Sequence, residues 1–227
     1  MALPGFVNHL LPIKFLGVIP LFIGVEIILG ITILNKASGL YGILSLFTGH
    51  PINFWQWLYN SLALITLPIY ATALLNLTVK PKNLRKISLA TIVYILDTVI
   101  GSLFTLYFMN FWFTSEEGTV KSAAEDTKAS LSSQSASAAR ELTITLGTTI
   151  AVTAVRVYFT LVMVSFTKAM LKQKAMDDRY NENQSGRSLE NIEEEEIMNE
   201  TGLIGEFRKA VFDLETRAKE YLNDLFK

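Results

Sequence analysis

The chain has 227 residues, half of them apolar, and 20 Lys and Arg against 21 Asp and Glu leave a net charge of -1. Charged residues make up 18%, where soluble domains carry about a quarter, and mean hydropathy is +0.34. These values exclude an ordinary soluble domain and offer no basic surface to nucleic acid, and without cysteine there are neither disulfides nor thiolate metal sites.

A bilayer core of about 30 Å takes about 20 helical residues to cross. In chain order, Met1–Leu11 carries no Lys or Arg, so no cleaved signal peptide is expected. Phe15–Leu34 is the first expected span, with Glu26 as its only charge. Gly39–Gly49 (GLYGILSLFTG) is apolar but too short to cross, and reads as an interfacial or re-entrant helix. Phe54–Val79 is the second span, containing Pro68, which membrane helices tolerate. Ile87–Phe113 is the third, with Asp97 inside, and Leu142–Phe166 the fourth, with Arg156 inside. Trp55, Trp57 and Tyr59 open the second span and Tyr107, Phe111 and Trp112 close the third, as amphipathic rings do at headgroup level.

Between the last two spans, Thr114–Arg140 is rich in Ser, Ala and charge without a periodic apolar face, and reads as a flexible linker. After the fourth span, residues 172–202 form an acidic polar linker that includes Glu193–Glu196. Leu203, Phe207, Val211, Leu214, Ala218, Tyr221, Leu222 and Leu225 then recur at helical spacing, which predicts an amphipathic helix. Five basic and five acidic residues share that helix, whereas a membrane-surface helix is more often basic. Docking on a protein surface is therefore the favoured reading, and packing on the chain's own helices the plainer alternative.

Lys and Arg set the orientation. Lys80, Lys82, Arg85 and Lys86 lie between spans two and three, and Lys168, Lys172, Lys174 and Arg179 follow span four, on the same side as Lys14. The positive-inside rule places both termini in the cytosol. The sequons at Asn76, Asn183 and Asn199 then fall on or near the cytosolic side and stay unused.

Glu26, Asp97 and Arg156 are the candidate intramembrane site. An ionised side chain at mid-bilayer costs about 2.5–3.5 kcal/mol on insertion scales. Each lies ten or eleven residues in from the same end of its span, about 15–17 Å deep at 1.5 Å per residue. An ion cluster that fixes the bundle is the first expectation, followed by a contact with a partner's helices. A transport path ranks lower, because the chain shows no repeated half.

His9 and His50 are the only histidines and fall on opposite faces under this topology. No H-E-x-x-H, G-x-S-x-G, P-loop or G-x-G-x-x-G pattern occurs. No catalytic residue, metal ligand or cofactor site is therefore named.

The stretches VEIILG (25–30), ILNK (33–36), Ser38-Gly39, YGIL (41–44) and LFTGHP (46–51), then Trp55-Gln56-Trp57, strongly resemble the regulatory, non-catalytic subunit of fungal inositol phosphorylceramide synthase. The likeness continues through Tyr94, Asp97-Thr98, Phe104–Leu106, Trp112–Thr114, Arg156, Tyr158-Phe159 and Ser165-Phe166, and covers roughly Lys14–Leu171. The resemblance implies a non-enzymatic, multi-pass Golgi membrane protein that binds a polytopic catalytic subunit and supports its activity. That partner transfers phosphoinositol from phosphatidylinositol to ceramide. The family's lumenal processing at dibasic sites is not carried over, since this loop has no such pair. Gly39, Tyr41, Phe47, Gly49, His50 and Pro51 form the candidate partner-contact segment, with a plain connector as the simpler reading. A cytosolic sorting or coat protein is a further candidate partner, for the tail.

The expected fold is thus all-α, with four transmembrane helices, a short lumenal helix and a cytosolic amphipathic helix. Residues 1–171 form the membrane domain with a flexible loop at 114–141, 172–202 the linker and 203–227 the terminal helix. Two other function classes stay open at this point, a small proton-coupled carrier and a stand-alone lipid-modifying enzyme.

Overall fold

The computed structural model describes residues 9–40, 42, 44, 54–79, 83–126, 138–181 and 195–226. The chain is all-helical among them. Five helices are α1 (Leu21–Ala37), α2 (Phe54–Thr78), α3 (Leu84–Asp126), α4 (Ala138–Asn181) and α5 (Leu203–Phe226). Among the described residues three stretches are long and apolar enough to cross a membrane: Phe54–Thr78, Leu84–Phe111 and Thr143–Asp177. Their exposed side chains include Ile65, Leu75, Leu96, Leu103 and Ile150, a surface suited to lipid tails rather than water.

The expected first span is not one uninterrupted helix. Pro20 has no N–H and disfavours helical backbone in the residue before it, so it stands at the N-cap and α1 starts at Leu21. Upstream the chain makes a tight turn: the Phe15 and Ile19 backbones exchange hydrogen bonds of 2.8 and 2.9 Å. Leu16 and Gly17, at φ 50° and 76°, occupy its centre, the pattern of a type I′ turn. Phe15 tucks against Gly24, where a Cβ would lie 2.6 Å from the phenylalanine's own Cβ. What remains is a helix of 17 residues, about 25 Å long and short of a full hydrocarbon core. Pro68 behaves differently and is carried inside α2.

The chain divides into two compact units, residues 1–94 with 159–227, and residues 95–158. In the first, α1 buries Val25, Ile28, Leu29, Thr32 and Lys36. α2 buries Ala63, Thr66, Tyr70, Ala73 and Leu77, a three-four spacing that keeps one face turned inward. Gly39 abuts Ala63, and Gly42 lies against the Asn60 side chain. Tyr70 meets Tyr94 edge-on at 6.2 Å between ring centroids. The α2–α3 connection is clamped by Asn76, whose Nδ2 donates to the Asn83 carbonyl at 2.8 Å while its Oδ1 accepts from the Asn83 N–H at 2.9 Å. Asn83 in turn caps α3 by accepting from the Arg85 N–H at 3.0 Å.

Thr91 of α3 and Thr167 of α4 join their helices by a buried 2.7 Å hydrogen bond. Each also donates to a carbonyl one turn back, Ile87 and Met163. One proton per hydroxyl cannot serve both bonds at once, so the pair shares two protons among three acceptors. Ser165 ties the N-terminal segment to α4 through the Pro12 carbonyl at 2.7 Å.

The terminal helix packs on the chain itself. Leu222 is buried against Leu84 and Leu171, with Leu225 and Phe226 alongside. The Arg85 guanidinium lies over the Phe212 ring at 4.2 Å and the Lys168 ammonium over Phe226 at 5.9 Å. Gly202, at φ 95°, turns the chain into α5, and Arg208 pairs with Glu200 across that turn. The favoured docking on a foreign surface is thus overtaken by the plainer alternative for the face bearing Phe212, Ala218 and Leu222. The reason is geometric: an apolar ledge formed by Leu84 and Leu171 already stands within reach. The expected flexible loop is also shortened, since α3 runs on to Asp126 and α4 begins at Ala138. The remainder of that loop, residues 127–137, lies outside the described residues.

Two outcomes check this packing. Thr91→Val and Thr167→Val should each lower the melting temperature modestly. The double variant should cost less than their sum by about 0.6–1.7 kcal/mol, the range for interhelical hydrogen bonds in membranes. Leu222→Asp should release α5, raising protease cleavage within 195–226 at least about tenfold, as expected when a buried leucine worth about 2–5 kcal/mol is lost, with insertion of α2 to α4 unchanged.

Candidate functional site

Polar side chains inside the apolar helices are the natural place to look for function, because each is costly unless partnered. In the unit formed by residues 95–158, α3 and α4 enclose a cleft of about 150 Å³ lined by Ser102, Thr105, Thr148, Thr149, Val152, Thr153 and Arg156. Helical spacing explains the lining. Ser102 and Thr105 are three apart on α3, and Thr148 or Thr149, Val152 or Thr153 and Arg156 follow one another a turn at a time on α4. Thr105 and Thr148 are exposed, and Thr149, Thr153 and Arg156 half-buried, so the cleft opens outward.

Three of its hydroxyls have spent their protons. Ser102 donates to the Thr98 carbonyl, Thr105 to Gly101 and Thr148 to Ile144, each at 2.7 Å. A hydroxyl holds one proton and two lone pairs. These oxygens therefore present acceptors to the cleft, while Arg156 presents donors.

Among the expected site residues, Asp97 and Arg156 lie in this unit, both half-buried, and Glu26 lies half-buried in α1 of the other unit. Of the expected contact segment, Gly39 is committed to this chain's own α2 at Ala63 and the Asn60 backbone. Tyr41, Phe47, Gly49, His50 and Pro51 lie outside the described residues. Among the described residues no group of three or more His, Asp or Glu is placed to hold a metal ion.

Sequence reasoning did not single out Lys36. The side chain is 2% exposed, in the last turn of α1, with its ammonium 5.7 Å from the Tyr59 ring centroid. A cation is favoured there by the helix dipole and by the ring face. The available signal was a lone lysine ending an apolar run, followed by a tyrosine in the next helix. Nor were the cleft hydroxyls recognised.

The model of the family described as inositolphosphorylceramide synthase subunit Kei1 matches residues 14–174. The inositol phosphorylceramide synthase regulatory subunit KEI1 of Saccharomyces cerevisiae is 39% identical over 174 residues, 71% of this chain and 78% of that protein. The corresponding regulatory subunit of Schizosaccharomyces pombe is 33% identical over 114 residues, 50% of this chain and 47% of that protein. No solved structure matches.

Proposed function

Since the chain belongs to the Kei1 family of inositolphosphorylceramide synthase subunits, we propose that it binds the catalytic subunit of that synthase and supports its activity and its residence in the Golgi membrane. The partner transfers phosphoinositol from phosphatidylinositol to ceramide, releasing diacylglycerol, and this chain supplies no catalytic residue. The observation that carries the reading is the family match over residues 14–174, which spans α1 to α3 and most of α4. Two relatives that bear the name of a regulatory subunit support it.

The topology in this proposal keeps four crossings. α1 is the shortest, helped by the turn at residues 15–19, and both termini face the cytosol as the basic residues at Arg85, Lys86, Lys168, Lys172 and Lys174 require. The segment between α1 and α2 then faces the lumen. Gly39 and Gly42 seat its beginning on α2, leaving Tyr41, Phe47 and His50 as the side chains assigned to the partner. Asp97 and Arg156 act as counter-ions within their unit. On α5, the exposed Phe207, Leu214 and Tyr221 are the residues available to a cytosolic sorting or coat partner.

Phosphoinositol transfer to labelled ceramide, in membranes lacking endogenous synthase, tests the assignment with this chain alone, the catalytic subunit alone and both together. Activity only when both are present is expected, and full activity from the catalytic subunit alone would overturn it. Replacing Tyr41, Phe47 and His50 together by alanine should reduce co-purification and activity while insertion is unchanged. Arg156→Leu alone should lower the yield of folded protein more than Asp97→Leu with Arg156→Leu, because the single change strands a carboxylate; equal yields would remove the counter-ion role.

A further inference from the structure

The ledge beneath α5 combines apolar and cationic side chains. Leu84 and Leu171 receive Leu222. Beside them the Arg85 guanidinium and the Lys168 ammonium lie over the rings of Phe212 and Phe226, at 4.2 and 5.9 Å from the centroids. The two rings are fourteen residues apart in the chain, about 21 Å along a helix. The second half of α5 therefore reaches from one cation to the other. Ledge and helix belong to the same compact unit.

The ledge also has a definite depth. Leu84 is the first residue of a 28-residue apolar stretch, and Lys168 and Leu171 fall toward the end of another. Twenty-eight helical residues cover about 42 Å, against a hydrocarbon core of about 30 Å. The ledge thus stands at headgroup level, where cations meet phosphate and carboxylate oxygens. Under α5, however, Arg85 is only 5% exposed. A ring face over a cation is worth roughly twofold to thirtyfold in an equilibrium constant. An anionic membrane surface is worth roughly fivefold for each Lys or Arg near it. The two attractions are of one size, so the charge of the leaflet decides between them. Glu215, 7% exposed on the buried face of α5, acts in the same direction, because anionic headgroups repel it.

We propose that α5 is a displaceable cover over a binding site for anionic phospholipid headgroups. In a neutral leaflet Arg85 and Lys168 hold Phe212 and Phe226, and burial of Leu222 keeps the helix docked. In an anionic leaflet the same two cations take headgroup phosphate and carboxylate oxygens, and α5 leaves the ledge. The guanidinium fork suits two oxygens of one phosphate, and the ammonium serves as a point charge beside it. The device depends on the ledge standing at the ends of two spans. It does not depend on which side of the membrane that end faces, nor on a catalytic subunit.

The test is hydrogen exchange on the purified full chain in nanodiscs of phosphatidylcholine, with and without phosphatidylserine as about a third of the lipid. Phosphatidylserine should speed exchange across residues 212–226 about tenfold, leave residues 21–37 unchanged, and lose its effect in about 1 M salt. Arg85→Gln with Lys168→Gln should abolish the difference between the two discs. Phe212→Leu with Phe226→Leu keeps apolar contact without the ring faces, and should release α5 at a lower phosphatidylserine fraction. Equal exchange in both discs, slower exchange with phosphatidylserine, or a response that survives loss of the two cations would overturn the proposal. Release by soluble glycerophosphoserine in neutral discs would overturn the assignment to lipid. Should the variants not fold, the lipid titration and its salt reversal on the unaltered chain decide by the same criteria.

Discussion

In segments presented to hydrocarbon there is no water to satisfy a hydroxyl or an amide, so each polar side chain must find its partner within protein or lipid. Most of the internal architecture follows from that constraint. Thr32, Thr66, Thr91, Ser102, Thr105 and Thr148 all donate to carbonyls three or four residues earlier on their own helix. Such bonds let a polar residue sit in an apolar helix without needing a neighbour. They also spend the proton and leave lone pairs behind. Where two helices are close, one hydroxyl gives its proton to a lone pair of the other, as between Thr91 and Thr167. Where the helices part, the same device leaves hydroxyl oxygens beside a recess that Arg156 also lines.

Attachment of the terminal helix obeys the complementary rule for charge. Arg85 is 5% exposed, and its guanidinium carbon lies over the Phe212 ring, 4.2 Å from the centroid, a contact worth roughly 2 kcal/mol when desolvated. Among the salt bridges of α5, one joins half-buried Lys209 to exposed Glu206 and another joins the exposed Arg217 and Asp213, and surface pairs of this kind contribute little. Among the contacts that hold the helix are Leu222 on Leu84 and Leu171 and two cations lying over rings. Its basic contacts come from the same cluster of Lys and Arg that sets the topology, so those residues serve orientation and docking at once.

How much of this was legible depends on the kind of signal. Apolar runs with at most one charge mark α2, α3 and α4 plainly, because hydrophobic length is a property of composition. The start of α1 was missed because Pro20 sits inside an apolar run that satisfies every hydropathy criterion, and only the missing N–H breaks it. The Asn76 sequon has a second meaning that spacing alone hides: its side chain closes the turn to Asn83. For α5 the period was read correctly, but a helix apolar on two sides does not say which side is inward. Phe212, Ala218 and Leu222 are buried while Phe207, Leu214 and Tyr221 are exposed. Bonding direction at Ser102, Thr105 and Thr148 could not be read at all, since it depends on rotamers rather than on residue type.

The family match ends at residue 174, before α5, yet the ledge that receives α5 lies inside the matched region at Leu84, Arg85, Lys168 and Leu171. The anchor therefore belongs to the part shared with the synthase subunits, and the helix that occupies it lies beyond that part. Buried and exposed faces of α5 answer to different demands. The inner face has to fit Leu84 and Leu171, whereas Phe207, Leu214 and Tyr221 are exposed. Changes along that outer stripe could alter what the tail meets while leaving both the Thr91–Thr167 bond and the hydroxyl-lined cleft in place. A chain built this way separates its membrane chemistry from its aqueous contacts by means of a single docked helix.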